Sequence, residues 1–346
     1  MCTNPIFRLN CEESFVRGRL PYFMYRRIKS NGIILRSGEY EVCCRLQLQD
    51  FIQELPCGRC AACRLNRALQ WQARCMLEAR NTPFNYFITL TYNDDNVPLQ
   101  SVVVPATGQV IKIPVLLKRD YQLFLKSVRK ASKAKFRFYL GGEYGDKNGR
   151  PHFHLLTFGL PLNDLIYFKR IGKTAYYRSP FLEKFWKKGF ILVTPFAPST
   201  AKYVANYTSK RRFRETPQNI QALINNVHSL LSPSSALNFL CRADLIQREF
   251  NQASNRPGLA RTSFEDFEDF YLDYDKLPPG LKLPVMHLTY YDRIVKERYP
   301  DLWRNIVANR ISIAKAFNYA GQPPDEYRKN LEENLLARER MANRCL

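Results

Sequence analysis

The sequence predicts an α+β fold, a split βαβ (ferredoxin-like) core with an antiparallel sheet, appended helices and a helical C-terminal region. Three observations carry this. Runs of aromatic and β-branched residues recur between Phe84 and Thr194, amphipathic stretches interrupt them in the order β, α, β, β, α, β, α, and Asn148-Gly149 joins two of the runs with a tight-turn signal.

Residues 1–80 read as an N-terminal extension that ends in a helix. Its first part mixes aromatic, basic and turn residues without a long period, which suits short strands. From Arg64 to Arg80 the residues Leu65, Ala68, Leu69, Cys75, Met76 and Ala79 recur at near-helical spacing, and Asn81 to Pro83 ends the run. Residues 81–212 hold the core. Phe84–Tyr92 (FNYFITLTY) has strand chemistry closed by Asn93, Asp94 and Asp95, and Val102–Ile113 reads as a hairpin insertion around Thr107-Gly108. Leu117–Ser132 sets Leu117, Tyr121, Phe124, Leu125 and Val128 on one face and Lys and Arg on the other, an amphipathic helix. Lys135–Gly142 and Pro151–Gly159 form the next two strands, Pro180–Lys188 a short helix, Phe190–Thr194 a strand, and Ser199–Arg211 a helix opened by the capping residue Ser199. Residues 213–346 read as a helical, basic region, with helices up to Phe250, around Asp301–Tyr319 and over Pro324–Asn343. The breaks fall at Asn255-Arg256-Pro257-Gly258 and Leu277-Pro278-Pro279-Gly280.

Composition narrows the partner. With 45% hydrophobic and 13% aromatic residues the chain can bury a core, yet 53 Lys and Arg against 31 Asp and Glu leave a net charge of +22. Such a surplus repels itself unless a polyanion neutralises it, so nucleic acid leads and an anionic membrane is the weaker alternative. Glu12 and Glu13 stand where a secretory signal needs an apolar core, and no apolar run reaches membrane-spanning length, which predicts a cytoplasmic protein. Ten cysteines in such a compartment point to reduced thiols or metal ligands.

The chain has only four histidines, so a pair two apart arises by chance about 3% of the time, and His152 and His154 are such a pair. On a strand, residues i and i+2 face the same way, so two imidazoles can converge on one cation while Phe153 turns into the core. Glu143 continues the same-face parity of Arg137, Tyr139 and Gly141 on the neighbouring strand and is the candidate third ligand, with Asp146 as the fallback. Two imidazoles and one carboxylate suit Mg²⁺ or Mn²⁺, imidazole favouring Mn²⁺, with Zn²⁺ an alternative. The candidate nucleophiles are Tyr203 and Tyr207 in AKYVANYTSKRR, four apart and so on one helix face, about 6 Å apart along its axis. Twenty tyrosines give roughly one such pair by chance, and core packing explains a pair equally well, so its weight rests on the helix and its basic flanks. A phenol with a reference pKa of about 10 needs a metal to draw charge from the scissile phosphate and cations to favour the phenolate. Lys202 and Lys210 can supply those cations, and Lys210, three residues beyond Tyr207, is the preferred one.

Cys57, Cys60 and Cys63 form C-x₂-C-x₂-C, tight enough to wrap one ion, with Cys43 or Cys44 as a fourth thiolate for a tetrahedral, structural zinc site. Cys75 is a poor fourth, since a helix from Arg64 places it about 18 Å along the axis from Cys63. Reduced structural thiols are the competing reading.

The segment GEYGDKNGRPHFHLL followed by YVANYTSK resembles the histidine-hydrophobe-histidine (HUH) endonucleases, specifically the replication initiators of microviruses, small icosahedral single-stranded DNA phages. The gokushovirus branch is most similar, because PCGRCAACRLNRALQWQAR, LLKRDYQLFLKSVRK and SNRPGLA also look like it. The resemblance spans Pro56 to Gly258. It implies that His152 and His154 hold the catalytic metal with Glu143 as third ligand. It further implies that Tyr203 and Tyr207 alternate, one nicking the replicative duplex and the other releasing and recircularising the displaced strand. Asn206 stands where family members often carry Lys, which removes a lysine role there and leaves the nucleophiles in place. The implied partners are single-stranded and replicative-form viral DNA and host machinery such as a helicase, in the host cytoplasm and without a membrane. The sequence itself carries no helicase motif. Two alternatives stand beside this reading: a basic DNA-binding or packaging protein without chemistry, and HUH chemistry in a plasmid initiator, relaxase or transposase.

Overall fold

The computed structural model describes residues 5–9, 24, 33–36, 38–48, 52–103, 110–145, 150–206, 247, 249–316, 321 and 323–344. They fall into two compact units, one from residues 1–66 and 312–346, the other from residues 67–311.

In the larger unit FITLTY becomes strand β4 (Tyr86–Tyr92), because its alternation lets Ile88, Leu90 and Tyr92 bury completely on one face while Phe87, Thr89 and Thr91 take the other. The same logic builds β7 (Arg137–Tyr144), β8 (Pro151–Phe158) and β11 (Gly189–Pro195). Three further strands, β9 (Ile166–Ile171), β10 (Thr174–Arg178) and β12 (Phe250–Ala253), complete a seven-stranded sheet. Its order is β12-β7-β8-β4-β11-β10-β9, and every pairing is antiparallel. Ahead of β7, a two-stranded sheet of β5 (Leu99–Val103) and β6 (Val110–Pro114) forms the predicted hairpin insertion.

Helices cover both faces of the large sheet. The amphipathic helix Lys118–Ser132 buries Tyr121, Phe124, Leu125 and Val128 against Ile88, Leu90, Phe153, Leu155 and Val193, as its spacing predicts. On the opposite face Tyr139, Leu156 and Phe158 meet Ala68 and Cys75 of the long helix Ala61–Asn81, and Ala201 and Val204 of the helix Pro198–Asn206. The helices Arg261–Glu265, Glu268–Tyr274 and Thr289–Arg298 add a further apolar cluster, in which Phe264, Tyr271, Tyr291 and Val295 pack with Ala73 and Leu77.

Three elements differ from the sequence reading. The helix predicted over Pro180–Lys188 stops at Glu183, because the chain turns to seat Trp186, which is 2% exposed and donates its indole N–H to the Thr91 carbonyl at 3.1 Å. The helix predicted up to Phe250 ends in residues outside the description, but Phe250–Ala253 itself is strand β12, paired along Tyr139–Gly142 of β7. That approach depends on Gly142, where a Cβ would lie 3.0 Å from the Phe250 ring. The β9–β10 hairpin extends the sheet where the sequence reading places no element.

The smaller unit carries a three-stranded antiparallel sheet, β2 (Ile33–Ile34), β1 (Ile6–Leu9) and β3 (Ile52–Leu55), and a helix Glu39–Arg45. Leu9, Ile33, Cys43 and Leu48 form its core. The C-terminal helix Pro324–Arg344 belongs to this unit; Arg328 pairs with Glu54, and the Glu332 carboxylate accepts the Ala61 N–H at 3.0 Å.

Candidate metal centre

Strand pairing assembles the centre. Glu143 of β7 lies directly opposite His152 of β8, and Gly141 opposite His154, so the carboxylate and both imidazoles share one face of the hairpin. The Glu143 carboxylate is 3.1 Å from His152 Nε2 and 3.8 Å from His154 Nε2, and one ligand atom from each of the three residues fits within 4.8 Å of the other two.

The far nitrogens of the rings explain this convergence. His152 Nδ1 lies 3.0 Å from the Arg150 carbonyl, which can only accept, so that nitrogen carries the hydrogen and Nε2 is left for a ligand. His154 Nδ1 lies 3.3 Å from the Thr89 hydroxyl on the paired strand β4. Outer partners that fix ring orientation are a recurring feature of metal-binding imidazoles. Burial alone favours the neutral His152 ring, but the hydrogen bond and charge of Glu143 outweigh it and raise the pKa above its ordinary value. The charge of Glu249 adds to the rise, while its carboxylate accepts the Tyr144 N–H at 3.0 Å.

Tyr203 reaches the same place from the helix Pro198–Asn206. Its hydroxyl is 3.5 Å from His154 Nε2, and its half-buried ring meets His154 and Phe87 edge-on at 5.1 and 6.0 Å between centroids. Phe87 in turn stacks on His154 at 5.5 Å. The helix is tied down by Asn251 of β12, whose amide donates to the Tyr139 hydroxyl at 3.1 Å and to the Val204 carbonyl at 3.4 Å. Lys202 is exposed on this helix. Tyr207, Lys210 and the fallback ligand Asp146 lie outside the described residues. Thr89, Glu249 and Asn251 were not singled out by the sequence; only Thr89 carried a signal, its strand parity.

A buried donor set of two imidazole nitrogens and one carboxylate oxygen fits a divalent cation such as Mn²⁺ or Mg²⁺. A second set lies in the smaller unit, where the Sγ atoms of Cys57, Cys60 and Cys63 fall within 4.8 Å of one another. Gly58 adopts a left-handed φ of 72°, turning the chain so that the Arg59 and Cys60 N–H groups donate to Cys57 Sγ at 3.4 and 3.3 Å. The Cys63 N–H donates to Cys60 Sγ at 3.4 Å, and the Arg64 guanidinium holds the loop through the Arg59 carbonyl at 2.9 Å. Cys43 is buried in the apolar core of that unit with Leu9 and Leu48 and does not join the group. Cys75 is fully buried, and desolvation raises its thiol pKa far above the ordinary range, as for a packing residue.

Residues 85–212, which include this centre, match the family model of the replication-associated protein ORF2. The central segment belongs to that replication-associated protein family. The chain is 34% identical over 165 residues to the "Replication-associated protein ORF2" of Spiroplasma virus 4, covering 45% of this chain and 48% of that protein. It is 25% identical over 252 residues to the "Replication-associated protein VP4" of Bdellovibrio phage phiMH2K, covering 72% and 69%. The "Replication-associated protein ORF4" of Chlamydia phage 1 is 30% identical over 175 residues, covering 48% and 40%. The microvirus resemblance read from the sequence is thereby upheld, and the chain spans about half the length of the first of these relatives. No solved structure matches. Among the described residues no helix is long and apolar enough to cross a membrane.

Proposed function

We propose that the chain is a rolling-circle replication initiator that nicks single-stranded origin DNA and holds the cut 5′ end on a tyrosine. The observation that carries this is the Tyr203 hydroxyl 3.5 Å from His154 Nε2, beside the Glu143 and His152 donors. The strand order β7-β8-β4-β11, with the helix Lys118–Ser132 between β4 and β7, supports reading residues 81–212 as a split βαβ nuclease core of HUH type.

Mg²⁺ or Mn²⁺ held by Glu143, His152 and His154 supplies Lewis-acid charge stabilisation to the scissile phosphate. The chain's own contribution is the nucleophile and its placement. A tyrosine Oη loses its proton and forms a bond to phosphorus, the bond from phosphorus to the 3′ oxygen breaks, and that oxygen leaves as a hydroxyl after taking up a proton. The 5′-phosphotyrosine conserves the energy of the phosphodiester, so a later 3′-hydroxyl can displace the phenol and close a circle without a nucleotide cofactor. Packing against Phe87 and His154 places Tyr203 for one transfer, and Tyr207, one helical turn on in sequence, serves the other with Lys210 favouring the phenolate. Viral single-stranded and replicative-form DNA are the partners, host machinery such as a helicase unwinds the duplex, and the work is done in the host cytoplasm.

The test incubates the full chain with a labelled single-stranded origin oligonucleotide in Mn²⁺ or in EDTA. The expected result is an SDS-resistant protein adduct on the 3′ fragment in Mn²⁺ and none in EDTA, with His152→Ala binding the oligonucleotide but forming no adduct. Binding without any adduct in either metal would sink the nuclease reading and leave a non-catalytic DNA-binding role.

The three-cysteine loop is proposed to hold zinc as a structural ion. Its backbone N–H groups already stabilise sulfur charge, and three close thiolates need a cation. Elemental analysis of protein purified without chelator should find about one zinc per chain, lost on Cys60→Ser. Zinc-free, freely titrating thiols in the wild type would show that these cysteines are only reduced structural residues.

A further inference from the structure

We infer that the β9–β10 hairpin is a binding arm for single-stranded DNA, with Tyr167 and Phe168 stacking on bases and Lys169, Arg170 and Lys173 meeting phosphates. Neither the metal centre nor the tyrosine helix uses this hairpin. Its thirteen residues, Ile166 to Arg178, hold four cations, four aromatic rings and no carboxylate. Every residue of β9 is exposed, and Tyr167 and Phe168 keep 58% and 50% of their surface in water. Two large rings left in solvent on an outermost strand forgo burial, so another contact must account for them.

The backbone presents these rings deliberately. Along β9 and β10 the partners run Lys169 to Tyr176 and then Tyr167 to Tyr177, skipping Phe168, which therefore sits at a bulge and is turned out of the regular alternation. Tyr167 is backed by Tyr177 at 6.1 Å, edge to face, and Lys169 Nζ stands 5.4 Å from the centre of the Phe168 ring. Among the described residues Lys169, Arg170 and Lys173 make no ion pair, whereas Arg178 is spent on Glu183 at 2.8 Å. Exposed rings interleaved with free cations are the chemistry that binds a single strand without reading its sequence, because every base offers a π-face and every nucleotide a phosphate. A second copy of this chain would set like charges against each other, and a duplex hides its base faces, so a single strand fits best.

Position adds to the case. In the strand order, β10 and β9 are the third and fourth strands from the histidine strand β8, about 14 and 19 Å away at the usual spacing. A strand leaving the metal centre can reach the hairpin within a few nucleotides, so the arm would hold DNA flanking the cut. This inference rests on the nicking function proposed above, but its test reads binding alone.

The test measures affinity of the full chain for a twenty-nucleotide oligo-dT and for a blunt twenty-base-pair duplex, in EDTA and across a salt series. Wild type is compared with Tyr167→Ala/Phe168→Ala and with Lys169→Ser/Arg170→Ser/Lys173→Ser. All five side chains are exposed, so circular dichroism should show the wild-type fold in both. The aromatic variant is expected to lose oligo-dT affinity about tenfold or more, and duplex affinity little. The cation variant is expected to flatten the salt dependence by about two in log–log slope, the value for three single-strand phosphate contacts. Unchanged oligo-dT affinity and slope in both variants would overturn the assignment, as would an equal or larger loss for the duplex. Wild type that binds oligo-dT through the hairpin yet never forms a tyrosine adduct would reject the nicking function and leave the binding arm standing.

Discussion

Glu143→Gln should weaken Mn²⁺ binding by about 100-fold or more, about 2.7 kcal/mol, and lower adduct formation by a similar factor at limiting metal. The amide keeps the shape of the carboxylate and can still meet His152 Nε2, so the hairpin of β7 and β8 should hold its register. What is lost is the negative charge that both imidazoles face at 3.1 and 3.8 Å. Glu143 is 4% exposed, so water cannot replace that charge as it would at a surface site. Titration of Mn²⁺ by calorimetry or spin resonance, with the adduct assay run over the same metal range, checks the expectation. Recovery of adduct at high Mn²⁺ would show that the variant lost affinity and kept its geometry. Wild-type affinity in the variant would remove Glu143 from the ligand set and return it to the role of a buried partner for His152.

The centre was legible in the sequence to the extent that it is local. His152 and His154 needed only strand parity, and Glu143 needed only a hairpin of known register, which Asn148-Gly149 and the flanking apolar runs supplied. Tyr203 needed one long-range step, the packing of its helix on the sheet, and its Ala201 and Val204 face foretold that contact. The remainder was hidden for physical reasons. Alternation of apolar and polar residues marks a strand only when one face is buried, and β9 exposes both, so IYFKRI carried no period-2 signal. Strand β12 is four residues long and owes its place to Gly142 and to the Asn251 hydrogen bonds, tertiary contacts with no local signature. The same holds for Glu249, whose field reaches His152 from beyond the matched family segment. Cys43 shows the converse error: spacing cannot tell a ligand from a core thiol, and burial among Leu9, Ile33 and Leu48 places this one in the core.

Tyr203→Phe carries the largest expected effect and asks most of the proposed chemistry. The ring that meets Phe87 and His154 edge-on is retained, so the helix should stay seated and stability should change by no more than about 1 kcal/mol, the net worth of one hydrogen bond. Metal binding should also persist, since the Glu143, His152 and His154 atoms are untouched. Only the attacking oxygen is gone, so adduct formed at this position falls to zero, and any that remains belongs to Tyr207. The readout is the rate of SDS-resistant adduct in single turnover, with peptide mapping of the linked residue, for Tyr203→Phe, Tyr207→Phe and the double variant. If the tyrosines alternate, each single variant still completes one transfer but cannot run successive rounds, and the double variant is inert. Full-rate adduct in Tyr203→Phe, mapped wholly to Tyr207 and lost in Tyr207→Phe, would make Tyr203 a packing residue that orients His154. The 3.5 Å contact would then be structural, and the nucleophile would be the phenol one turn further along.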